Sequence, residues 1–187
     1  NFLMEYYRRS GDESDFHPVH RLDKGTSGLL AVAKHPHAQE RLKRQLHTGD
    51  FRRTYLAVCD GAPPAPDRTV DAPIGRVDGS LTARAVRPDG QPARTHYRVV
   101  RSCGPRTLLE LTLDTGRTHQ IRVHMAYLGC PLTGDFLYGR SNPALIARPA
   151  LHSAGLELVH PITGERLSFA APLPADLAAL ISEENIL

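Results

Sequence analysis

Polar and apolar positions along the chain follow two periods. At residues 36–48, Ala38, Leu42 and Leu46 recur at i, i+4 and i+8, the stripe of an amphipathic helix that Pro36 opens and Gly49 ends. Its other faces carry Arg41, Lys43, Arg44 and His47, either a solvated cationic face or one that follows phosphates. Residues 107–114 have period two, with Leu109, Leu111 and Leu113 against Glu110, Thr112 and Asp114, a strand with one buried face. Strands are also predicted at 51–58 and 95–100, and a hairpin from 156–160 and 166–170 around Pro161-Ile162-Thr163-Gly164. Further helices are predicted at 2–9, at 118–128 (apolar side Ile121, Val123, His124, Met125 and Leu128, stop at Gly129) and at 175–182 behind Pro174. The apolar run Leu29-Leu30-Ala31-Val32-Ala33 predicts a buried strand over about 28–34. Pro63, Pro64, Pro66 and Pro73 make 61–73 a loop, and the Gly-, Pro- and Arg-rich stretch 75–95 a surface excursion with a small hairpin. Strands with scattered helices and no regular βαβ alternation predict an α+β sheet domain rather than a doubly wound one.

Composition narrows this picture only a little. The 187 residues, 41% hydrophobic and 23% charged, suit one globular domain with a proper core. A net charge of +3 permits a polyanionic partner without requiring one. Cys59, Cys103 and Cys130 are odd in number, far apart and without a C-x-x-C. That argues against a disulfide framework and a zinc cluster, and for a reducing, cytoplasmic setting. No apolar run approaches the roughly 20 residues of a membrane span, and the first residues show no signal-peptide pattern. With no Trp in the chain, a flat ligand would have to stack on Tyr, Phe, His or Arg.

Three segments set unusual polar residues beside apolar ones: 20–28, 52–55 and 116–124. In the first, Asp23 stands between cations, followed by small turn-forming residues. In the second, Tyr55 follows Arg52 and Arg53 and reads either as a core residue or as a half-exposed ring. In the third, Arg122 is one helical turn beyond Thr118 and able to reach a carboxylate in a neighbouring loop. On the surface such a pair contributes under about 1 kcal/mol. In a cleft it would keep Asp23 ionised despite burial, as a nucleophile or a stabiliser of positive charge rather than a general acid. His17 and His20 (i, i+3) and His119 and His124 (i, i+5) invite a metal reading, but H-E-x-x-H and Cys/His clusters are missing. Nucleotide-binding glycine motifs are missing too. His152-Ser153 with Asp135 hints at a hydrolase triad, without the G-x-S-x-G elbow such a site needs.

Taken whole, His20-Arg21-Leu22-Asp23-Lys24-Gly25-Thr26-Ser27-Gly28-Leu29 closely resembles the catalytic motif of the RluA-type pseudouridine synthases. Gly116-Arg117-Thr118-His119-Gln120-Ile121-Arg122-Val123-His124, with Gly129, Pro131, Gly134-Asp135 and Tyr138-Gly139, resembles their later signature, and Leu151-His152-Ser153 and His160-Pro161 their C-terminal pattern. The resemblance covers roughly residues 17–176. It implies a mixed, largely antiparallel sheet with flanking helices and an RNA-binding cleft across its middle. It implies an RNA uridine isomerase acting on rRNA or tRNA, without cofactor or metal, with Asp23 as the catalytic aspartate. It gives Tyr55 stacking on the target uracil and taking the C5 proton, Arg122 pairing with the aspartate, and Arg21 holding the nucleotide flipped out. Arg53, Arg117, His119 and Gln120 join these as RNA-binding residues, and the Arg-rich stretch 75–95 as an RNA-contacting arm. Three routes stay open to Asp23: attack on the base, attack on the sugar, or removal of the 2′ proton.

There are departures from the family pattern. Arg53 stands where Lys is common, and Cys130 and Ser153 where His and Ala are. A preceding Lys-Pro-x-Gly strand and a small N-terminal RNA-binding domain are missing. The expectation is a single catalytic domain over 1–187, acting as a monomer. The competing classes are a non-catalytic RNA-binding module on the same fold and a metal-dependent hydrolase.

Overall fold

The computed structural model describes residues 2–12, 14–46 and 48–182. Its elements in chain order are α1 (Phe2–Ser10), β1 (His17–Pro18), β2 (Ser27–Gly28), β3 (Val32–Ala33), α2 (Pro36–Gln45), β4 (Arg52–Asp60), β5 (Asp67–Asp71), β6 (Ile74–Arg76), β7 (Arg84–Val86), β8 (Arg94–Cys103), β9 (Arg106–Leu113), α3 (Gln120–Tyr127), β10 (Leu151–Val159), β11 (Arg166–Ala170) and α4 (Ala175–Leu180). The main sheet runs β11-β10-β4-β9-β8-β5 with every neighbouring pair antiparallel, and β2 adds a short parallel pairing to β10. This is the α+β, largely antiparallel architecture that the pattern predicts.

Alternation along β4 explains the layers. Successive residues of a strand point to opposite faces. Tyr55, Ala57 and Cys59 pack with Leu109 and Leu111 of β9, Tyr97 of β8, and Ile121 and Met125 of α3. Val58 points the other way, against Leu177 and Leu180 of α4. The α2 stripe closes a third group: Ala38 and Leu42 pack with Val19, Phe51, Leu156 and Leu158. That helix ends at Gln45, and His47 lies outside the described residues.

Three expectations need correction. The run Leu29–Ala33 is not one buried strand. Ser27–Gly28 pairs with β10, the chain then leaves the sheet with Leu30 exposed, and Val32–Ala33 pairs with His17–Pro18. Gly28 explains the break: it sits at φ +102°, and a Cβ there would run into the Ser153 backbone, so this crossing is open to glycine alone. The loop 61–73 contains β5, an edge strand fitted between Pro66 and Pro73 that pairs only with β8 and buries only Val70. Prolines at strand ends on an edge remove no hydrogen bond the sheet needs. Finally, α3 begins at Gln120 rather than 118, and its residues from Gln120 to Met125 are all buried, the polar Gln120, Arg122 and His124 included.

Candidate active site

The loop of residues 20–28 is tied down at both ends. Before it, Val19 N donates to Ala31 O at 3.0 Å within the β1–β3 pairing; after it, Leu29 N donates to Ser153 O at 2.9 Å beside the β2–β10 pairing. In the middle, Thr26 N donates to Asp23 O at 2.9 Å, closing a tight turn. The turn faces β4, β9 and the segment leading into α3. Between them lies a cleft of about 260 Å³. Asp23, Arg21, Arg53, Tyr55, Arg117 and Gln120 all line it, with His20, Thr26, Leu113, Gly116 and Leu151 among their neighbours. Six of the eight residues singled out from the sequence therefore meet in one place. His119 and Arg122 are not among the residues lining it, and Arg122 is buried beneath the surface.

Arg122 has a different partner from the one the sequence suggests. Its Nε and Nη2 each donate to a carboxylate oxygen of Asp135, both at 2.7 Å, with the two side chains 2% and 0% exposed. Phe136 and Tyr138 stack on the guanidinium at 5.5 and 5.0 Å. Asp135 Oδ1 also accepts from the backbone N–H groups of Leu137 and Tyr138. Burial pushes Arg122 down, but Asp135 outweighs it, with smaller help from Tyr138 and Asp23, and the net shift is upward. Arg122 is thus a fixed positive charge whose reach includes Asp23, and no direct ion pair joins the two. Asp135 could be found from sequence only through the Gly134-Asp135 pair of the signature, 13 residues beyond the arginine it serves.

Tyr55 is 5% exposed, so the half-exposed ring gives way to one set in the cleft wall. Burial raises its pKa; the Arg53 charge opposes this and the Asp23 charge adds to it. The phenol is neutral at pH 7. His119 takes a left-handed backbone, φ 59°, at the start of α3, and its Nδ1 meets the Tyr138 hydroxyl at 2.7 Å. Burial lowers its pKa, Arg122 lowers it further and Asp23 opposes. Asp23 therefore makes its charge felt at Tyr55, His119 and Arg122 together. Gln120 is fully committed within the protein. Its Oε1 accepts from Thr115 Oγ1 and Arg117 N, and its Nε2 donates to Arg94 O and Thr95 Oγ1. It shapes the segment that presents Arg117. Arg21 is exposed at the rim.

The alternative chemistries do not assemble. His152 meets Ser27 Oγ at 2.9 Å rather than Asp135, whose oxygens belong to Arg122, so there is no hydrolase triad. His124 is buried between Thr95 Oγ1 and Ala72 O, away from His119's partner. Among the described residues no group of three or more His, Cys, Asp or Glu is placed to hold a metal.

His20, on the cleft wall, is a residue whose environment the sequence did not reveal. Its Nε2 accepts from Ala31 N at 3.2 Å, and Nδ1 is buried with no hydrogen-bond partner among the described residues. Burial, reinforced by the Arg53 charge, lowers its pKa to about 4. An unfolded histidine titrates near about 6.5, so the unfolded chain binds the extra proton between those values. Stability from this site is complete above about pH 6.5 and is lost as pH falls towards 4. A thermal scan series from pH 7 to 4 is expected to show a smaller fall in Tm for His20→Gln than for the wild type. Parallel curves would show that His20 carries none of the acid sensitivity.

Comparison with known proteins points one way. A family model described as RNA pseudouridylate synthase matches residues 1–127. YjbO of Bacillus subtilis (strain 168), named an uncharacterized RNA pseudouridine synthase, is 47% identical over 185 residues, spanning 99% of this chain and 65% of that protein. Ribosomal large subunit pseudouridine synthase D of Escherichia coli (strain K12) is 45% identical over 194 residues, spanning 97% and 59%. Human RNA Pseudouridylate Synthase Domain Containing 1 superimposes with TM-score 0.77 at 28% identity, covering 91% of this chain and 73% of that one. The chain spans about half to two-thirds of the length of the curated relatives it matches.

Proposed function

Because the chain belongs to the RNA pseudouridylate synthase family, we propose that it isomerises uridine in RNA to pseudouridine with Asp23 as the catalytic carboxylate. The observation that carries this reading is the make-up of the cleft. Among the described residues lining it, Asp23 is the one carboxylate, set among Arg21, Arg53 and Arg117 and beside the Tyr55 ring. Three cations suit the phosphates around a single nucleotide, and an aromatic wall suits a base that has left its stack, a step costing a few kcal/mol.

In the reaction the C1′–N1 bond breaks, the uracil turns, and C1′ is joined to C5. A proton leaves C5 and one is taken up at N1, so atoms balance without a cofactor. Asp23 serves where the sugar gains positive character or a covalent bond is needed. Arg122 acts from behind the wall, its positive charge fixed by Asp135 and within reach of Asp23. Tyr55 stacks on the base. Burial disfavours its phenolate, so Tyr55 can take the C5 proton only after giving up its own hydroxyl proton, a loss that the Arg53 charge favours. Arg21 at the rim keeps the nucleotide out, Arg53 and Arg117 hold phosphates, and Gln120 and His119 set the segment that presents Arg117. Working as a monomer in the cytoplasm belongs to the same proposal. Relatives named for the large ribosomal subunit make that RNA the first substrate to try, with tRNA alongside. Incubation with RNA tritiated at uracil C5 should release tritium to water; no release from either RNA class would sink the reading.

A further inference from the structure

Outside the cleft, Arg148 ties three parts of the chain together. Its Nη1 donates to Gly25 O at 2.9 Å and to Leu151 O at 3.1 Å. Its Nε and Nη2 donate to the two carboxylate oxygens of Asp176 on α4, at 2.8 and 2.9 Å. Gly25 is the third residue of the turn closed by Thr26 N on Asp23 O, at φ +88°, the left-handed position that such a turn reserves for glycine. The turn packs directly on the arm of the arginine: a Cβ at Gly25 would stand 3.2 Å from both Arg148 Cβ and Pro149 Cδ. Leu151 opens β10, the strand that pairs with β2 just past the turn, and lines the cleft. One guanidinium therefore joins the loop that carries Asp23 to the start of β10, and α4 holds that guanidinium in place. Arg148 itself is not among the residues lining the cleft.

We infer that Arg148 is a positioning residue for Asp23, a clamp across the back of the catalytic turn that Asp176 keeps oriented. The inference rests on the proposed function for its kinetic consequence, not for its geometry. The fork shape matters: a planar guanidinium serves two carbonyls and a carboxylate at once, whereas a lysine ammonium is a point donor on a flexible stem. A misplacement of about 1 Å in a reacting group can cost about a hundredfold in rate.

The test compares Arg148→Ala, Arg148→Lys and Asp176→Asn in the tritium assay, with hydrogen exchange read in parallel. Arg148→Ala should lower kcat about tenfold or more while KM for RNA stays within about twofold. Arg148→Lys should recover part of the loss, and Asp176→Asn should show a smaller loss in the same direction. In all three, the Thr26 amide should exchange faster while amides in β9 keep their protection. Unchanged kcat in Arg148→Ala, or a rise in KM with kcat intact, would overturn the inference. If Arg148→Ala does not fold, Asp176→Asn decides, because that carboxylate is 43% exposed and can be changed without opening the core; unchanged exchange at Thr26 in that variant would also overturn it. A wild type that releases no tritium would defeat the proposed function, whereas the exchange data would still decide whether the clamp exists.

Discussion

Asp23→Asn should abolish isomerisation, lowering kcat by about a thousandfold or more, while RNA binding at equilibrium stays within about threefold of wild type. The reasoning is one of charge. The amide fills the same space in a half-buried position but can neither attack nor balance positive charge at the sugar, and about a thousandfold is about 4 kcal/mol of transition-state stabilisation. Binding should survive because, in the proposed reading, the phosphates are met by the Arg21, Arg53 and Arg117 that line the cleft, and removing a negative charge from among them does not weaken that. Tritium release and filter binding on the same preparations check both halves. A variant that still turns over would remove Asp23 from the chemistry, and one whose cellular role on RNA is intact without turnover would favour a non-catalytic binding module on this fold.

The second large effect belongs to Asp135. Its removal strands Arg122, 2% exposed, as a buried charge without its bidentate partner. Breaking such a pair from one side typically costs about 3–5 kcal/mol, whereas replacing both members by apolar residues is often close to neutral. Asp135→Ala should therefore lower Tm by on the order of 10 °C, taking about 2–4 °C per kcal/mol for a chain of this size. The double variant Arg122→Met with Asp135→Leu should regain most of that stability yet stay inactive, since the positive charge behind Asp23 is gone. Denaturant titration and the tritium assay separate the two effects. Recovery of activity in the double variant would show that Arg122 is only structural.

What could be read in the sequence was what depends on local periodicity or on chain-adjacent chemistry. The α2 stripe, the alternation of β9 and the proline-opened α4 each write their burial pattern into neighbouring residues, and the structure has them close to the predicted places. The candidate site residues fall in three short segments, so the meeting of six of them in one cleft needed only the fold to bring the loop, β4 and the segment leading into α3 together. What was illegible depends on distant partners. Leu29–Ala33 looks like a strand because it is apolar, but its pairing is decided by Gly28 meeting Ser153 in β10, 125 residues later. β5 buries one side chain in five and so carries almost no pattern. Asp135 is separated from Arg122 by the end of α3 and a loop, and Arg148 from Gly25 by 123 residues. A sequence shows that an arginine is present; which carbonyl or carboxylate it will hold is a property of the folded packing.

In the proposed reaction this cleft turns uridine into its carbon-linked isomer through Asp23. The most direct measurement is nucleoside analysis of large-subunit ribosomal RNA and tRNA transcripts after incubation with the chain. Pseudouridine has the mass of uridine but a different retention and fragmentation, so the conversion is read without any label. A new pseudouridine peak is expected with the wild type and none with Asp23→Asn. Total uridine plus pseudouridine should be unchanged. No pseudouridine from the wild type on either RNA, or equal amounts from both proteins, would contradict it.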